Sequence, residues 1–194
     1  MAYEIELKAH VREEEVESVK NALLKLPDVT YNGVTGKFDM YWSHTDNGEP
    51  LFRTRREMTQ KGPSVIFTAK PHKIKTEKGT EENQEFEFSV PDSKWGDILN
   101  FCSGIGLQVC RLKWKNGHDF TLRRNGFDVH AELIEVRYLG WFLEIEICVE
   151  SMEGVDTAAD ITLRDILSLA GLSEDRVESR GYNRMLKAIG HEKG

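Results

Sequence analysis

Three pairs of glutamates stand two residues apart: Glu4 and Glu6, Glu85 and Glu87, Glu144 and Glu146. Basic residues repeat at the same interval, Arg53 with Arg55 and Arg111 with Lys113 and Lys115. Lys8 follows the first acidic pair, and Lys70 ends another alternating run. A spacing of two places such residues on one face of a strand. Apolar residues take the alternate positions: Ile5 and Leu7, Val65 and Phe67, Phe86 and Phe88, Leu112 and Trp114, Leu143, Ile145 and Ile147. Carboxylates held side by side repel one another unless a cation lies between them. A hard divalent ion, Mg²⁺ or Mn²⁺, prefers such oxygen ligands. Opposing Arg and Lys side chains would hold a polyanion, and phosphate matches them geometrically. Acids and bases in one cavity therefore spell a metal-bound phosphate chain.

Two arrangements of these strands compete. In the ordinary one the charged faces look into water and the apolar faces pack on helices. In the other, the charged faces line a tunnel and the apolar faces meet helices outside, since a barrel allows either face inward. Segregation by type favours the tunnel: carboxylates pair on three strands and bases on others, for which a solvated face gives no reason.

The elements that must position these residues are legible in outline. Alternation over 3–11 reads as a strand. Residues 12–26 read as a helix, with Val16, Val19, Leu23 and Leu26 on one face and Pro27-Asp28 as its stop. Strands follow over 36–43, 50–58, 64–70 and 84–90. A second helix starts after Pro91-Asp92, carries Trp95, Ile98, Leu99 and Cys102 on one side, and ends near Gly104 or Gly106. Further strands cover 108–115, 118–124, 127–136 and 141–150, with Asn116-Gly117 and Asn125-Gly126 as hairpin signals. Residues 157–170 and 174–189 read as two last helices, broken at Gly171. The expected fold is α+β: a closed antiparallel β-barrel of about eight strands, forming a tunnel, with helices packed outside. The whole of 1–194 is expected to be one domain.

Composition fits this picture. The chain has 194 residues, 39% hydrophobic and 30% charged, with 26 Lys plus Arg against 33 Asp plus Glu, a net charge of −7. That is a globular balance with ample core and no need of disulfide staples. The three Cys are odd in number and none stands in a C-x-x-C spacing, which argues against a disulfide scaffold or zinc knuckle. The start, MAYEIELK, does not read as a secretory signal, and no apolar run is long enough to span a membrane. A reduced, cytoplasmic compartment is expected, with no membrane and no nucleic acid as partner.

Taken together, these segments resemble the CYTH superfamily, the triphosphate tunnel metalloenzymes, which include class IV adenylyl cyclases, thiamine triphosphatases and inorganic triphosphatases. EIELK at 4–8 matches the E-x-E-x-K signature. FDMYW at 38–42, FRTR at 52–55, FTAKP at 67–71, EFEF at 85–88, VCRLKW at 109–114, LGWFLEIE at 139–146 and SRGYNRML at 179–186 resemble later segments in the expected order. The resemblance implies that Glu4, Glu6, Glu144 and Glu146 bind Mg²⁺ or Mn²⁺, and that Glu85 and Glu87 add further acids. It implies that Lys8, Arg53, Arg55, Lys70, Arg111 and Lys113 hold the triphosphate. Tyr41 aligns with a tyrosine that activates water together with the signature lysine, which makes Lys8 and Tyr41 the candidate proton-handling pair. A lysine serves as base only where burial or neighbouring bases lower its pKa. One position departs: many members carry Asp where this chain has Ile134. Glu132, one pleat earlier on the same face, is the candidate substitute in the metal set. Arg111 and Lys113 also stand in the reverse of the usual order. The resemblance admits a homodimer, for which the sequence shows no patch.

Other features carry less. Six His are scattered without an H-x-x-x-H pair, so zinc is not expected, and His130 reads as structural. Ser and Cys lack a partner His motif for nucleophilic catalysis. The run Lys70, His72, Lys73, Lys75 and Lys78 reads as a basic loop at the tunnel mouth. The expected activity is hydrolysis of tripolyphosphate, thiamine triphosphate or a nucleoside triphosphate. The alternatives are a class IV adenylyl cyclase, toward which Ser179 and Tyr182 point, and a module that binds polyphosphate or nucleotide without turnover.

Overall fold

The computed structural model describes residues 2–75, 81–150, 156–191 and 193. Among them are eight strands and four helices: β1 Ala2–Val11, α1 Val16–Leu24, β2 Thr30–Ser43, β3 Phe52–Thr59, β4 Gly62–Lys75, β5 Glu81–Pro91, α2 Trp95–Gly104, β6 Gln108–Arg124, β7 Phe127–Val136, β8 Gly140–Val149, α3 Asp156–Leu169 and α4 Tyr182–Ala188. All strand pairings are antiparallel, in the order β1-β5-β4-β3-β2-β6-β7-β8. β1 pairs with β8 from Tyr3↔Val149 to Val11↔Trp141 and with β5 from Ala2↔Glu85 to Glu6↔Glu81, so the circuit of hydrogen bonds returns to its start. Past the short β5 ladder, the exposed edge of β1 is taken by the C-terminal chain. Ala9 bridges Val177, and the Glu178 N–H donates to the Lys8 carbonyl at 2.8 Å.

The apolar faces of the strands meet the helices. Ile5, Leu7 and Ala9 of β1, Phe120 and Leu122 of β6, and Leu133, Leu143 and Ile145 of β7 and β8 pack with Val16, Val19 and Leu23 of α1 and Leu163, Ile166 and Leu167 of α3. On the other side Trp42, Val65, Phe52 and Phe67 pack with Ile98 and Cys102 of α2. The buried indole of Trp42 donates to Thr54 Oγ1 at 2.8 Å, which satisfies both polar atoms. No helix among the described residues is long and apolar enough to cross a membrane.

The eight antiparallel strands with outer helices agree with the sequence reading, but three local readings are corrected. Asn116-Gly117 is not a hairpin, and β6 runs through it without a break. Gly117 is there for a close approach: a Cβ would lie 2.1 Å from the Leu133 carbonyl oxygen and 2.7 Å from Ile134 Cα. The true turn is Asn125-Gly126, with φ of 52° and 86°, as the primed two-residue hairpin demands. The helix expected over 174–189 is a single 3-10 turn at Glu174–Arg176, an extended stretch on the edge of β1, and α4. The basic run expected as a loop lies in β4 up to Lys75; Lys78 falls outside the described residues.

Candidate functional site

The faces of the strands turned away from the helices carry the charges, and they are buried. Glu4, Lys8, Lys37, Asp39, Lys113, Lys115 and Glu132 are each at most 8% exposed. Ionised side chains survive such burial only when paired, and each of them is.

The acids gather on β1 and β8. Lys8 stands opposite Glu144, and Glu6 opposite Glu146, in the β1–β8 ladder. Glu4 accepts from Lys70 Nζ at 2.8 Å. Glu144 accepts from Lys115 Nζ at 2.6 Å, and Lys8 Nζ is 3.7 Å from Glu6. Burial, then the charges of Glu144 and Glu4, push the Glu6 carboxyl up to about 7, against the pull of Lys8 and Lys70. Glu144 is also penalised by burial, but Lys115 and Lys8 hold its carboxyl well below the usual range. Glu87 is half exposed at 47% and accepts from Thr68 Oγ1 at 2.9 Å. The side chain of Glu85 lies outside the described residues.

Bases of β3 and β6 gather around Asp39 of β2, which is fully buried. Arg55 donates to both its carboxylate oxygens, at 2.7 and 3.2 Å. Lys113 Nζ is 3.1 Å away and Arg53 3.8 Å. Burial works against the carboxylate here, yet Arg55, Lys113 and Arg53 hold its pKa well below the usual range. Arg53 also donates to Thr68 Oγ1 at 2.8 Å. Arg111 sits at the rim, 3.2 Å from the exposed Glu49.

Tyr41 belongs to this basic group. Its hydroxyl accepts a hydrogen bond from Lys113 Nζ at 2.9 Å. Burial alone would raise its pKa, but Lys113 and Arg53 bring it down to about 8. Lys8 Nζ stands over a different ring, Tyr182, at 4.8 Å. Tyr41 thus takes its hydrogen bond from Lys113, whereas the sequence reading gave it Lys8.

A second cluster lies further along β6, β7 and β8. His130 bridges Glu146 through Nδ1 and Asp119 through Nε2, each at 2.7 Å. Burial disfavours the charged ring, but these two carboxylates raise its pKa to about 11. Asp119, His130 and Glu132 bring three ligand atoms within 4.8 Å of one another. Glu132 is ion-paired with Lys37, which also contacts Glu57 at 3.2 Å. Ile134 is fully buried in an apolar group with Val136, Phe142, Tyr182 and Met185, while Glu135 is exposed.

Lys37, Asp39, Glu57 and Asp119 join the inner network without having been singled out, beside Lys115 of the basic alternation. Alternation could have found them: Lys37, Asp39 and Tyr41 are two apart, as are Lys113 and Lys115. His130 and Glu132 share the same spacing.

No family model and no curated protein matches the chain by sequence. Solved structures match its fold. A protein from Pyrococcus horikoshii superposes with a TM-score of 0.75 at 23% identity, covering 96% of this chain and 99% of that one. A candidate adenylate cyclase from Vibrio parahaemolyticus gives 0.72 at 16%, covering 95% and 98%. A candidate adenylyl cyclase from Hippeastrum, described as having a dominant triphosphatase activity, gives 0.62 at 13%, covering 98% and 96%. At these identities the likeness is one of fold.

Proposed function

We propose that this chain is a CYTH-type triphosphate tunnel metalloenzyme, a single domain over 1–194 that hydrolyses a triphosphate inside its ring of strands. The observation that carries the proposal is the inner face itself: Glu4 of β1 meets Lys70 of β4, Glu144 of β8 meets Lys115 of β6, and the buried Asp39 of β2 meets Arg53 and Arg55 of β3 and Lys113 of β6. The match of fold to cyclase and triphosphatase structures supports it, as does the order of the sequence motifs.

The donor set fits a hard divalent cation. Glu4, Glu6 and Glu144 offer only oxygen, and burial together with their crowding raises the Glu6 carboxyl to about 7, so that a divalent ion would displace a proton from it. Glu4, Glu6 and Glu144 would hold Mg²⁺ or Mn²⁺, with Glu87 and Glu85 proposed as further acids. Glu146 and Glu132 are engaged by His130 and Lys37 and are the outer members of that set. When bound, the ion would neutralise charge on the bridging phosphate oxygens.

The chain's own residues do the rest. Lys70, Arg53, Arg55, Lys113 and Lys115 bind and align the phosphates, so that catalysis is positioning and charge stabilisation. Arg111 meets the chain at the rim. Tyr41, with its hydroxyl on Lys113 and a pKa of about 8, is suited to take a proton from the attacking water. Lys8, beside Glu6 and opposite Glu144, holds the acidic group together and reaches the phosphates.

The test is product analysis with ATP, thiamine triphosphate and tripolyphosphate, in Mg²⁺ and in Mn²⁺, read by phosphorus NMR. Orthophosphate with a shortened chain is the expected result and names the substrate. Cyclic AMP with pyrophosphate would make the chain a cyclase, the reading toward which the segment with Ser179 and Tyr182 points. Metal-dependent binding without product would reduce it to a binding module. Absence of binding in either metal would refute the proposal.

A further inference from the structure

Glu146 of β8 stands between two inner neighbours, Glu6 of β1 on one side and His130 of β7 on the other. Adjacent carboxylates repel and swing apart unless something holds them. His130 holds this one. Its Nδ1 donates to Glu146 Oε1 and its Nε2 to Asp119 Oδ2, each at 2.7 Å. An ionised carboxylate only accepts, so both ring nitrogens carry hydrogen. Asp119 is held in turn, because Asn32 Nδ2 donates to its Oδ1 at 2.5 Å. Asn32 reaches inward from a bulge in β2. One extra residue lies there between the pairs Tyr31↔Phe120 and Gly33↔Asp119, and Gly33 has a φ of 102°. A bulge re-aims a side chain in this way. The result is a relay across four adjacent strands, from Asn32 on β2 through Asp119 on β6 and His130 on β7 to Glu146 on β8. It occupies both oxygens of Asp119 but one of Glu146: among the described residues, Glu146 Oε2 accepts no hydrogen bond. Glu146 is 31% exposed and lines, with His130, a cavity of about 380 Å³, which gives a hydrated ion access to it.

We infer that His130 is a positioning residue for the divalent ion: the relay ties Glu146 Oε1 to the imidazole and leaves Oε2 to the metal. The inference rests on the metal reading above and deepens it. It gives Asp119 and His130 a place behind the ligands, although their atoms lie within 4.8 Å of one another and of Glu132. Both nitrogens of the ring and both oxygens of Asp119 are already engaged, so these two groups orient a ligand and do not serve as ligands themselves. Groups that orient a ligand from behind are worth about 10–100-fold in metal affinity.

The experiment titrates the full chain with Mn²⁺ in the absence of substrate, following the free ion by electron paramagnetic resonance. Spin-echo modulation then reports the ligands of the bound ion. The wild type is expected to bind Mn²⁺ through oxygen, with no coordinated imidazole nitrogen. His130→Gln cannot bridge both carboxylates and should weaken Mn²⁺ binding by about tenfold or more. It should raise by a like factor the Mg²⁺ needed for half-maximal turnover, while KM for tripolyphosphate at saturating Mg²⁺ stays near the wild-type value. Asp119→Asn should also weaken Mn²⁺ binding. Added to His130→Gln it should cost nothing further, because it acts through the ring. A coordinated nitrogen, wild-type affinity in either single variant, or losses that multiply in the double variant would overturn the inference and leave the metal reading intact. Should His130→Gln fail to fold, the wild-type echo spectrum and Asp119→Asn still decide. A wild type that binds no Mn²⁺ would overturn the metal reading, and this inference with it.

Discussion

Asp39→Asn is the most informative single change, because it alters one charge and almost no volume. The wild-type carboxylate is fully buried and bound to Arg55 at 2.7 and 3.2 Å, Lys113 at 3.1 Å and Arg53 at 3.8 Å. Removing it leaves three inner-face cations facing one another with no counter-ion. Breaking a buried ion pair by removing one partner costs about 3–5 kcal/mol. For a chain of this size each kcal/mol moves Tm by roughly 2–4 °C, so a fall on the order of 10 °C is expected in a phosphate-free buffer. The same change makes the cavity more positive, so added tripolyphosphate should raise the Tm of the variant by more than it raises that of the wild type. Acid provides a control. The folded-state pKa of Asp39 is depressed, so its contribution is present above the unfolded carboxylate range and is lost as pH falls through the folded value. The wild type should therefore approach the variant in stability below about pH 4. The assay is differential scanning calorimetry across pH, with and without tripolyphosphate. Tm values within a degree of each other at neutral pH would refute the placement of Asp39 among these cations.

Three further outcomes are expected. Glu6, whose carboxyl is raised to about 7, favours the folded state at low pH, and that contribution is lost as pH rises through 7. Without divalent ions the wild-type Tm should then fall between pH 5 and 8, while Glu6→Gln stays flatter and loses Mg²⁺-dependent turnover; a wild-type Tm indifferent to pH would count against the crowding of Glu6 with Glu144. The hydroxyl of Tyr41, at about 8, should show its tyrosinate absorbance rising near that pH, and Lys113→Met should move the transition upward; a transition at the ordinary value near 10 would contradict the Lys113 hydrogen bond. Gly117→Ala sets a methyl 2.1 Å from the Leu133 carbonyl oxygen and should cost about 3 kcal/mol or more in denaturant midpoints, whereas normal stability would mean that β6 turns at Asn116-Gly117 after all.

Much of the fold follows from period-two alternation. The apolar and charged faces of β1, β3, β6 and β8 are each written in a few consecutive residues, and the turn at Asn125-Gly126 in two. The same dipeptide type misled at Asn116-Gly117, because a glycine is needed equally for a hairpin and for a close backbone approach, and only the neighbour decides which. The helix expected over 174–189 broke because the open edge of β1 beyond the β5 ladder pairs Ala9 with Val177 and accepts from the Glu178 N–H in extended form, a demand no local propensity carries.

The candidate site divides along the same line. Residue type and parity determined which side chains share a face, and the choice of Glu and Lys or Arg for those positions required that the face be paired if buried. Pairing across the ring is a matter of strand order and stagger, and those depend on contacts between residues far apart in the chain. Tertiary structure alone gave Tyr41 to Lys113, Lys8 to the ring of Tyr182, Glu146 to His130, and Asp39 to three cations at once. It also decided that Ile134, read from sequence as a missing acid, belongs to an apolar group at one end of the ring. Alternation is a one-dimensional rule that fixes faces; ion pairs depend on distances of a few ångströms between strands, which exist only once the chain has closed on itself.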